Sequence, residues 1–316
     1  MFYAISVLCL LLALGMLMAH LKTRRLAIQA ELAVPQAGQI MPVTDGAIHY
    51  VTLGDPDAPP LVLIHGLSGQ LQHFTYAMAQ DLARDFRVII PDRPGCGYSR
   101  RDGDDLADPT TQARMLWQFL DAILVSHPVV VGHSLGGAVS LAMALQRPKQ
   151  IRALGLIAPL THPTPETPDC FKGLGVRSPV LRRLLGHTVA APIAERTAET
   201  VLEQVFAPEP WPDSFLADAG AVLGLRPQAY ITASADFVAA QNCLPDLSTA
   251  YARADFPPGG VLFGEQDAIL DATSQGSAME QYGFAIELLP DRGHMLPITA
   301  PTQCNDFIRK MAALAD

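Results

Sequence analysis

Short apolar runs alternate with longer amphipathic stretches along most of the chain. The runs at residues 61–64 and 129–131 are brief and rich in branched side chains, as is typical of buried parallel strands. Similar runs predict strands at residues 48–53, 87–92, 151–157, 260–263 and 284–289, and helical patterns cover residues 74–83, 110–124, 140–146 and 301–314. Strands that alternate with helices predict right-handed crossovers and a mostly parallel sheet.

The alternation stops between residues 161 and 258. This region is rich in proline and contains helical patterns at residues 179–185, 192–206 and 211–223, but no convincing strand. The sequence therefore predicts a helical insertion between two strands of the sheet.

The first 21 residues contain no Asp, Glu, Lys or Arg. At about 1.5 Å per residue, a helix of this length spans about 30 Å, the thickness of a bilayer's hydrocarbon core. Lys22, Arg24 and Arg25 follow the apolar segment, whereas a signal peptide has its positive charge before it. We therefore predict a single-pass membrane anchor at residues 1–21 and a linker at residues 22–39. The positive-inside rule places the rest of the chain in the cytoplasm.

The composition limits which classes of partner and ligand the chain is expected to bind. The chain has 316 residues, of which 49% are hydrophobic, and a formal net charge of −9. An acidic balance disfavours nucleic acid as a partner. The five cysteines lack metal-ligand or disulfide spacing, so they predict neither a zinc site nor a disulfide framework.

The candidate chemistry begins directly after residues 129–131. There the chain reads Gly132-His133-Ser134-Leu135-Gly136 and continues into an Ala- and Leu-rich helical pattern. A serine on a tight strand-to-helix turn projects above the sheet edge, and glycines on either side remove colliding Cβ atoms. An incidental serine in a glycine-rich turn is the alternative interpretation.

Four further motifs accompany G-x-S-x-G along the chain. They are H-G-x-x-G at residues 65–69, D-x-P-G-x-G-x-S at 92–99, G-x-x-D at 264–267 and G-H-x-x-P at 293–297. Together, over residues 40–316, these motifs resemble those of the α/β-hydrolase superfamily, and of its serine esterases and lipases in particular.

The resemblance implies an architecture and a set of site residues. The fold would be a mostly parallel eight-stranded sheet with helices on both faces, formed by residues 40–160 and 257–316. A helical cap, residues 161–256, would be inserted after the sixth strand. Ser134 would be the nucleophile, His294 the base and Asp267 the acid, with Glu265 and Asp271 as fallback acids. The backbone amides of Leu67 and Leu135 would form the oxyanion hole.

Three other residues near the predicted site are expected to have structural roles. His65 is expected to be a hydrogen-bonded loop histidine, and Asp92 to order its loop through hydrogen bonds. Cys96 is expected to be a packed thiol rather than a redox group.

The predicted cap contains several large apolar residues, namely Phe171, Leu174, Val205, Phe206, Trp211, Phe215, Leu216 and Phe237. Together with the triad that the resemblance implies and the predicted anchor, they favour cleavage of a lipophilic carboxylic ester through an acyl-enzyme at a membrane. This chemistry implies no metal or organic cofactor. Serine at the turn disfavours the dehalogenases and epoxide hydrolases of this fold, which use aspartate there. A C–C hydrolase, lactonase, thioesterase or iminopeptidase on the same triad remains an alternative. A non-catalytic binding protein is a further one.

Overall fold

The computed structural model describes residues 2–314. Its strands are β1 Gln39–Val43, β2 Gly46–Leu53, β3 Pro60–Ile64, β4 Arg87–Pro91, β5 Arg100–Arg101, β6 Val129–His133, β7 Ala153–Ile157, β8 Gly259–Gly264 and β9 Ala285–Leu289. Its α-helices are α1 Phe2–Ala33, α2 Gln72–Thr75, α3 Ala79–Leu82, α4 Pro109–Ala122, α5 Leu135–Gln146, α6 Pro179–His187, α7 Ala190–Phe206, α8 Phe215–Asp218, α9 Pro227–Ala250, α10 Leu296–Thr299 and α11 Pro301–Ala313.

Eight strands form one sheet in the order β1-β2-β4-β3-β6-β7-β8-β9, and the two-residue β5 pairs with β2. Strands β1, β2 and β4 are joined by antiparallel pairings, and the pairings from β4 through β3 to β9 are parallel. This arrangement confirms the predicted fold. Strand β1 begins at the end of the predicted linker, and β5 was not predicted because a two-residue strand has no periodicity to detect.

Alternating side chains on the central strands separate two apolar layers. On β3, Val62 and Ile64 face one layer, which is completed by α4 and α5. Leu61 and Leu63 face the opposite layer, which is completed by α2, α3 and α11. The sheet is therefore covered on both faces, and its strand ends carry the functional loops. The predicted helix at residues 74–83 is divided between α2 and α3.

The cap is helical, as expected, and follows β7. It contains α6 to α9 together with short 3₁₀ turns. Its longest helix, α9, escaped prediction because it has little amphipathic character and contains Pro245. Leu244 and Leu247 of α9 are buried in the apolar layer beside α4 and α5, so the cap and the sheet share a core.

Helix α1 has two different halves. Its N-terminal half is apolar and exposed, and α1 is long and apolar enough to cross a membrane, because one 18-residue stretch of it has a mean hydropathy of 2.4. In its C-terminal half, Thr23, Leu26 and Ala30 are buried at helical spacing. The Thr23 hydroxyl donates to the carbonyl of Thr188, which follows α6 in the cap, and Lys22 pairs with Glu195 of α7 at 2.5 Å.

The prediction of a linker at residues 22–39 is therefore wrong for residues 22–33. These residues continue α1 and dock it on the cap. The cluster of basic residues marked the end of the uncharged segment, but it does not end the helix. Leu, Ala, Gln and Glu in this stretch favour a continued helix, and the buried face stabilises it.

Candidate active site

The turn between β6 and α5 holds Ser134 in an unusual conformation. Its backbone has φ 53° and ψ −123°, a combination that costs free energy in a non-glycine residue. The Ser134 carbonyl accepts hydrogen bonds from Gly137 N (2.8 Å) and Leu160 N (2.9 Å), and its amide donates to the Ile157 carbonyl at 3.1 Å. These three hydrogen bonds fix the turn.

The glycines around Ser134 are required by close backbone approach. A Cβ on Gly136 would lie 2.1 Å from the Ile64 carbonyl oxygen, and one on Gly132 would lie 2.3 Å from the Gly136 carbonyl oxygen. A Cβ on Gly66 would come within 2.9 Å of the Ser134 Cβ. The turn and the loop after β3 are thus packed directly against each other.

Ser134, His294 and Asp267 meet although they are distant in sequence. The Ser134 hydroxyl lies 3.0 Å from His294 Nε2, and His294 Nδ1 lies 2.7 Å from Asp267 Oδ2. The hydrogen bond to Asp267 favours the imidazole tautomer with its proton on Nδ1, which leaves the Nε2 lone pair facing the serine hydroxyl. This is the geometry required for removing a proton from the serine.

Asp267 is itself held in place. Its Oδ1 accepts from the amides of Ile269 (2.8 Å) and Leu270 (2.9 Å), and its side chain is fully buried. The two fallback acids lie elsewhere: Glu265 is exposed, and Asp271 accepts from the Ser274 amide at 2.7 Å. Only Asp267 among the three is hydrogen-bonded to His294.

The proposed oxyanion amides lie on either side of Ser134. Leu135 is the first residue of α5, where backbone amides have no acceptor within the helix. Leu67 follows Gly66, the residue packed against Ser134. Their role as oxyanion donors remains a prediction.

Two buried histidines near the site are structural. His133 Nε2 bonds to the His294 carbonyl at 3.0 Å, and burial together with the nearby His294 holds the pKa of His133 well below its usual range. His65 Nδ1 donates to the Gly66 carbonyl, while its Nε2 accepts from the Arg93 amide. Burial and the Arg93 charge likewise keep the pKa of His65 well below its usual range. The expectation of a hydrogen-bonded loop histidine is confirmed.

The motif at residues 92–99 is ordered by its first residue. Asp92 accepts from the amides of Leu71 (2.7 Å) and Tyr98 (2.8 Å), and it pairs with His49 at 2.6 Å. The role expected for Asp92 is confirmed. Cys96 is buried, and burial raises the pKa of its thiol to about 12, so it lacks the thiolate that redox chemistry needs.

Sequence reasoning missed two cap carboxylates that contact loops of the candidate active site. Glu209 accepts from the Gly293 amide (2.9 Å), directly before His294, and pairs with Arg292 at 2.5 Å. Asp236 of α9 pairs with the buried Arg93 at 2.7 Å. No sequence motif surrounds either carboxylate. The one hint was Arg93 within the 92–99 motif, because a buried arginine needs an acidic partner.

A cavity of about 270 Å³ lies between the cap and the loop that carries the acid. Its walls include Ala268 and Ile269, which follow Asp267, and Cys170 and Gln204 from the cap. Across residues 2–314, no group of three or more His, Cys, Asp or Glu side chains is arranged to hold a metal ion.

Comparison with known proteins agrees with this fold. Residues 59–182 match the family model described as the alpha/beta hydrolase fold. The chain is 35% identical to the magnesium-chelatase 30 kDa subunit of Rhodobacter capsulatus over 46% of this chain and 49% of the relative. It is 32% identical to 2-hydroxymuconate semialdehyde hydrolase of Pseudomonas sp. (strain CF600), over 40% of this chain and 46% of that protein. The matches thus span about half of these relatives.

Among solved structures, a membrane phospholipase A superposes with a TM-score of 0.61 at 21% identity, covering 99% of this chain and 98% of the other. At that identity the likeness concerns the fold alone. Other matches bear the names carbamate hydrolase, lipase, esterase and enol-lactonase. The chain therefore has the α/β-hydrolase fold.

Proposed function

We propose that this protein is a serine hydrolase that cleaves a lipophilic carboxylic ester through an acyl-enzyme. The observation that carries the proposal is the hydrogen-bonded series from Ser134 through His294 to Asp267, at 3.0 and 2.7 Å. A serine hydroxyl is a weak nucleophile at neutral pH, and an adjacent imidazole base activates it.

The reaction follows from this geometry. Ser134 Oγ attacks the ester carbonyl while its proton passes to His294 Nε2, and Asp267 stabilises the imidazolium that forms. The amides of Leu67 and Leu135 stabilise the developing oxyanion, each contributing about 3–4 kcal/mol to lowering the barrier. The tetrahedral intermediate collapses as His294 gives its proton to the leaving alcohol. This collapse leaves the acyl group on Ser134. His294 then takes a proton from a water molecule as the water oxygen attacks the acyl carbonyl, and it returns this proton to Ser134 Oγ as the acyl–serine bond breaks and the acid is released.

A lipophilic substrate is supported by the cavity at the loop that follows Asp267. Ala268 and Ile269 contribute apolar surface to its walls, beside the polar Asp169 and Gln204, and apolar surface favours an acyl or alkyl group. The names lipase and phospholipase among the similar proteins agree with such a substrate.

Membrane attachment through α1 is part of the proposal. Helix α1 is long and apolar enough to span a bilayer, and the basic residues that follow its uncharged segment favour a cytoplasmic catalytic domain. Retention of the full chain in the membrane pellet after an alkaline carbonate wash is expected. Release into the supernatant would contradict the anchor.

Ester cleavage is tested with p-nitrophenyl esters of increasing acyl length. We expect the purified full chain to hydrolyse them, and Ser134→Ala to lose on the order of 10⁴-fold or more in kcat/KM. Ser214→Ala, at a cap serine that bonds Tyr76, is the control and should retain activity. Equal hydrolysis by Ser134→Ala and wild type would refute the proposal.

A C–C hydrolase is the second candidate, favoured by the match to 2-hydroxymuconate semialdehyde hydrolase. Its test is a vinylogous 1,5-diketone substrate assayed beside the esters. Faster turnover of the diketone at equal concentrations would favour this alternative on the same triad.

A further inference from the structure

We propose that Arg93 and its cap partner Asp236 position the oxyanion-binding loop, so that an ion pair from the cap sets the rate of catalysis. The inference rests on the proposed function, because it assigns the Leu67 amide to the oxyanion. It adds two positioning residues that touch neither the triad nor the substrate.

The Arg93 side chain is fully buried and is hydrogen-bonded to the loop after β3. Its Nε donates to the His65 carbonyl at 2.9 Å, and its Nη2 donates to the Gly66 carbonyl at 3.0 Å. The same arginine donates its backbone amide to His65 Nε2. Arg93 therefore holds both peptide carbonyls that precede Leu67.

The grip on Gly66 determines where the Leu67 amide points. In a planar trans peptide, the carbonyl of one residue and the amide of the next point in opposite directions. The Gly66 carbonyl also accepts from the Gly69 amide at 3.2 Å and from His65 Nδ1 at 2.9 Å. Three donors, one of them cationic, orient this peptide and polarise it, which makes the Leu67 N–H a stronger donor.

The position of Arg93 depends in turn on the cap. Its Nη1 donates to Asp236 Oδ2 at 2.7 Å and to Gln112 Oε1 at 2.6 Å. Asp236 is fully buried on α9, and its other oxygen accepts from Arg101 at 2.7 Å. Removing the Asp236 charge leaves a buried cation without its counter-ion, so the guanidinium shifts and the loop shifts with it.

A second buried cap–core ion pair supplies a matched control. Arg182 of α6 pairs with Asp104 at 2.6 Å, and its side chain is 4% exposed. Neither of these residues contacts the loop at residues 65–67. Asp104→Asn therefore makes the same isosteric change at a cap–core ion pair without touching the oxyanion loop.

The experiment compares Asp236→Asn and Arg93→Lys with Asp104→Asn in the full chain. Fluorophosphonate titration counts active sites, p-nitrophenyl butyrate gives kcat and KM, and a trifluoromethyl ketone probes affinity for an oxyanion. We expect Asp236→Asn and Arg93→Lys to lower kcat per active site by about 10- to 100-fold with little change in KM. The inhibition constant of the ketone should rise in parallel, while Asp104→Asn leaves both values within about twofold of wild type.

The possible outcomes are separable. A merely structural ion pair would reduce the number of titratable sites but leave kcat per site and ketone affinity unchanged, which would overturn the inference while the proposed function stands. If wild type neither hydrolyses the ester nor reacts with the fluorophosphonate, both are overturned. If Asp236→Asn and Arg93→Lys do not fold, Asp236→Glu is measured instead. A kcat per active site below that of wild type supports the inference, and an unchanged kcat overturns it.

Discussion

The turn at Ser134 and the cap contribute to the same candidate active site through different kinds of contact. The turn is shaped by contacts among neighbouring backbones, with a Cβ on Gly136 blocked by the Ile64 carbonyl at 2.1 Å. The cap acts through single carboxylates, since Asp236 holds Arg93 across 143 residues and Glu209 holds Gly293 across 84. The turn that carries the serine is thus shaped by close backbone packing, whereas two of the loops around it also contact carboxylates that are distant in sequence.

The largest effect on stability is expected where the steric requirement is strongest. Gly136→Ala introduces a Cβ that meets two backbone carbonyls, from Ile64 and His65, at 2.1 and 2.7 Å. Because backbone cannot move aside cheaply, we expect the free energy of unfolding to fall by more than about 3 kcal/mol, as measured by urea denaturation.

Gly173→Ala is the matched change in the cap. No atom lies within 4 Å of a Cβ placed there, so its free energy of unfolding should stay within about 0.5 kcal/mol of wild type. Similar losses in the two variants would remove the steric distinction between the turn and the cap.

Glu209 brings a negative charge from the cap to the loop that carries His294. Glu209→Gln keeps the shape of the side chain but removes the charge that pairs with Arg292 and strengthens the bond from the Gly293 amide. Because the loop that carries His294 is then held less firmly, we expect kcat to fall by about 10-fold with a smaller change in KM. Steady-state kinetics per titrated active site measures both values.

The control for this variant is Glu203→Gln, at an exposed glutamate of α7, which should behave as wild type. A kcat for Glu209→Gln equal to that of Glu203→Gln would show that the histidine loop is held without the cap.

A different kind of effect concerns pH, at a histidine covered by the cap. His73 lies 5.6 Å from the Phe215 ring of α8, measured between ring centroids, and burial lowers the pKa of His73 to about 4. The unfolded chain takes up a proton as the pH falls below about 6.5, while the folded protein does not until about 4. The contribution of neutral His73 to the free energy of unfolding is therefore fully present above pH 7. It declines between pH 6.5 and 4, by up to about 1.4 kcal/mol per pH unit.

His73→Gln should remove this part of the acid sensitivity. Between pH 7.5 and 5, we expect the variant to lose about 2 kcal/mol less unfolding free energy than wild type, whereas His187→Gln, at an exposed histidine, should follow wild type. Identical pH profiles for all three proteins would mean that His73 is not kept neutral beneath the cap.

The same contrast explains what the sequence could predict. The strands and the turn could be predicted because apolar runs and glycines reflect local packing and backbone conformation. Ser134, Asp267 and His294 could be predicted because each lies in a short motif. The structure brings these three side chains together at hydrogen-bond distance. Their catalytic roles and those of Leu67 and Leu135 remain predictions.

What escaped prediction depends on distant partners. Asp236 and Glu209 look like ordinary acidic residues until the fold supplies Arg93 and the Gly293 amide. Residues 22–33 were read as a linker because their buried face is recognisable only with the cap beside it. Helix α9 was missed for a related reason: with a sheet-side core on one face and cap contacts on another, it lacks a single apolar stripe.

Chemical labelling of Ser134 is the most direct test of the proposed catalytic centre. The full chain is treated with a fluorophosphonate, digested and analysed by mass spectrometry, with His294→Ala treated in parallel. We predict a stoichiometric adduct on the Ser134 peptide of wild type and at least a 100-fold slower reaction in His294→Ala, because the serine then lacks its base. No adduct, an adduct on another serine, or equal rates in the two proteins would contradict a nucleophile at Ser134 activated by His294.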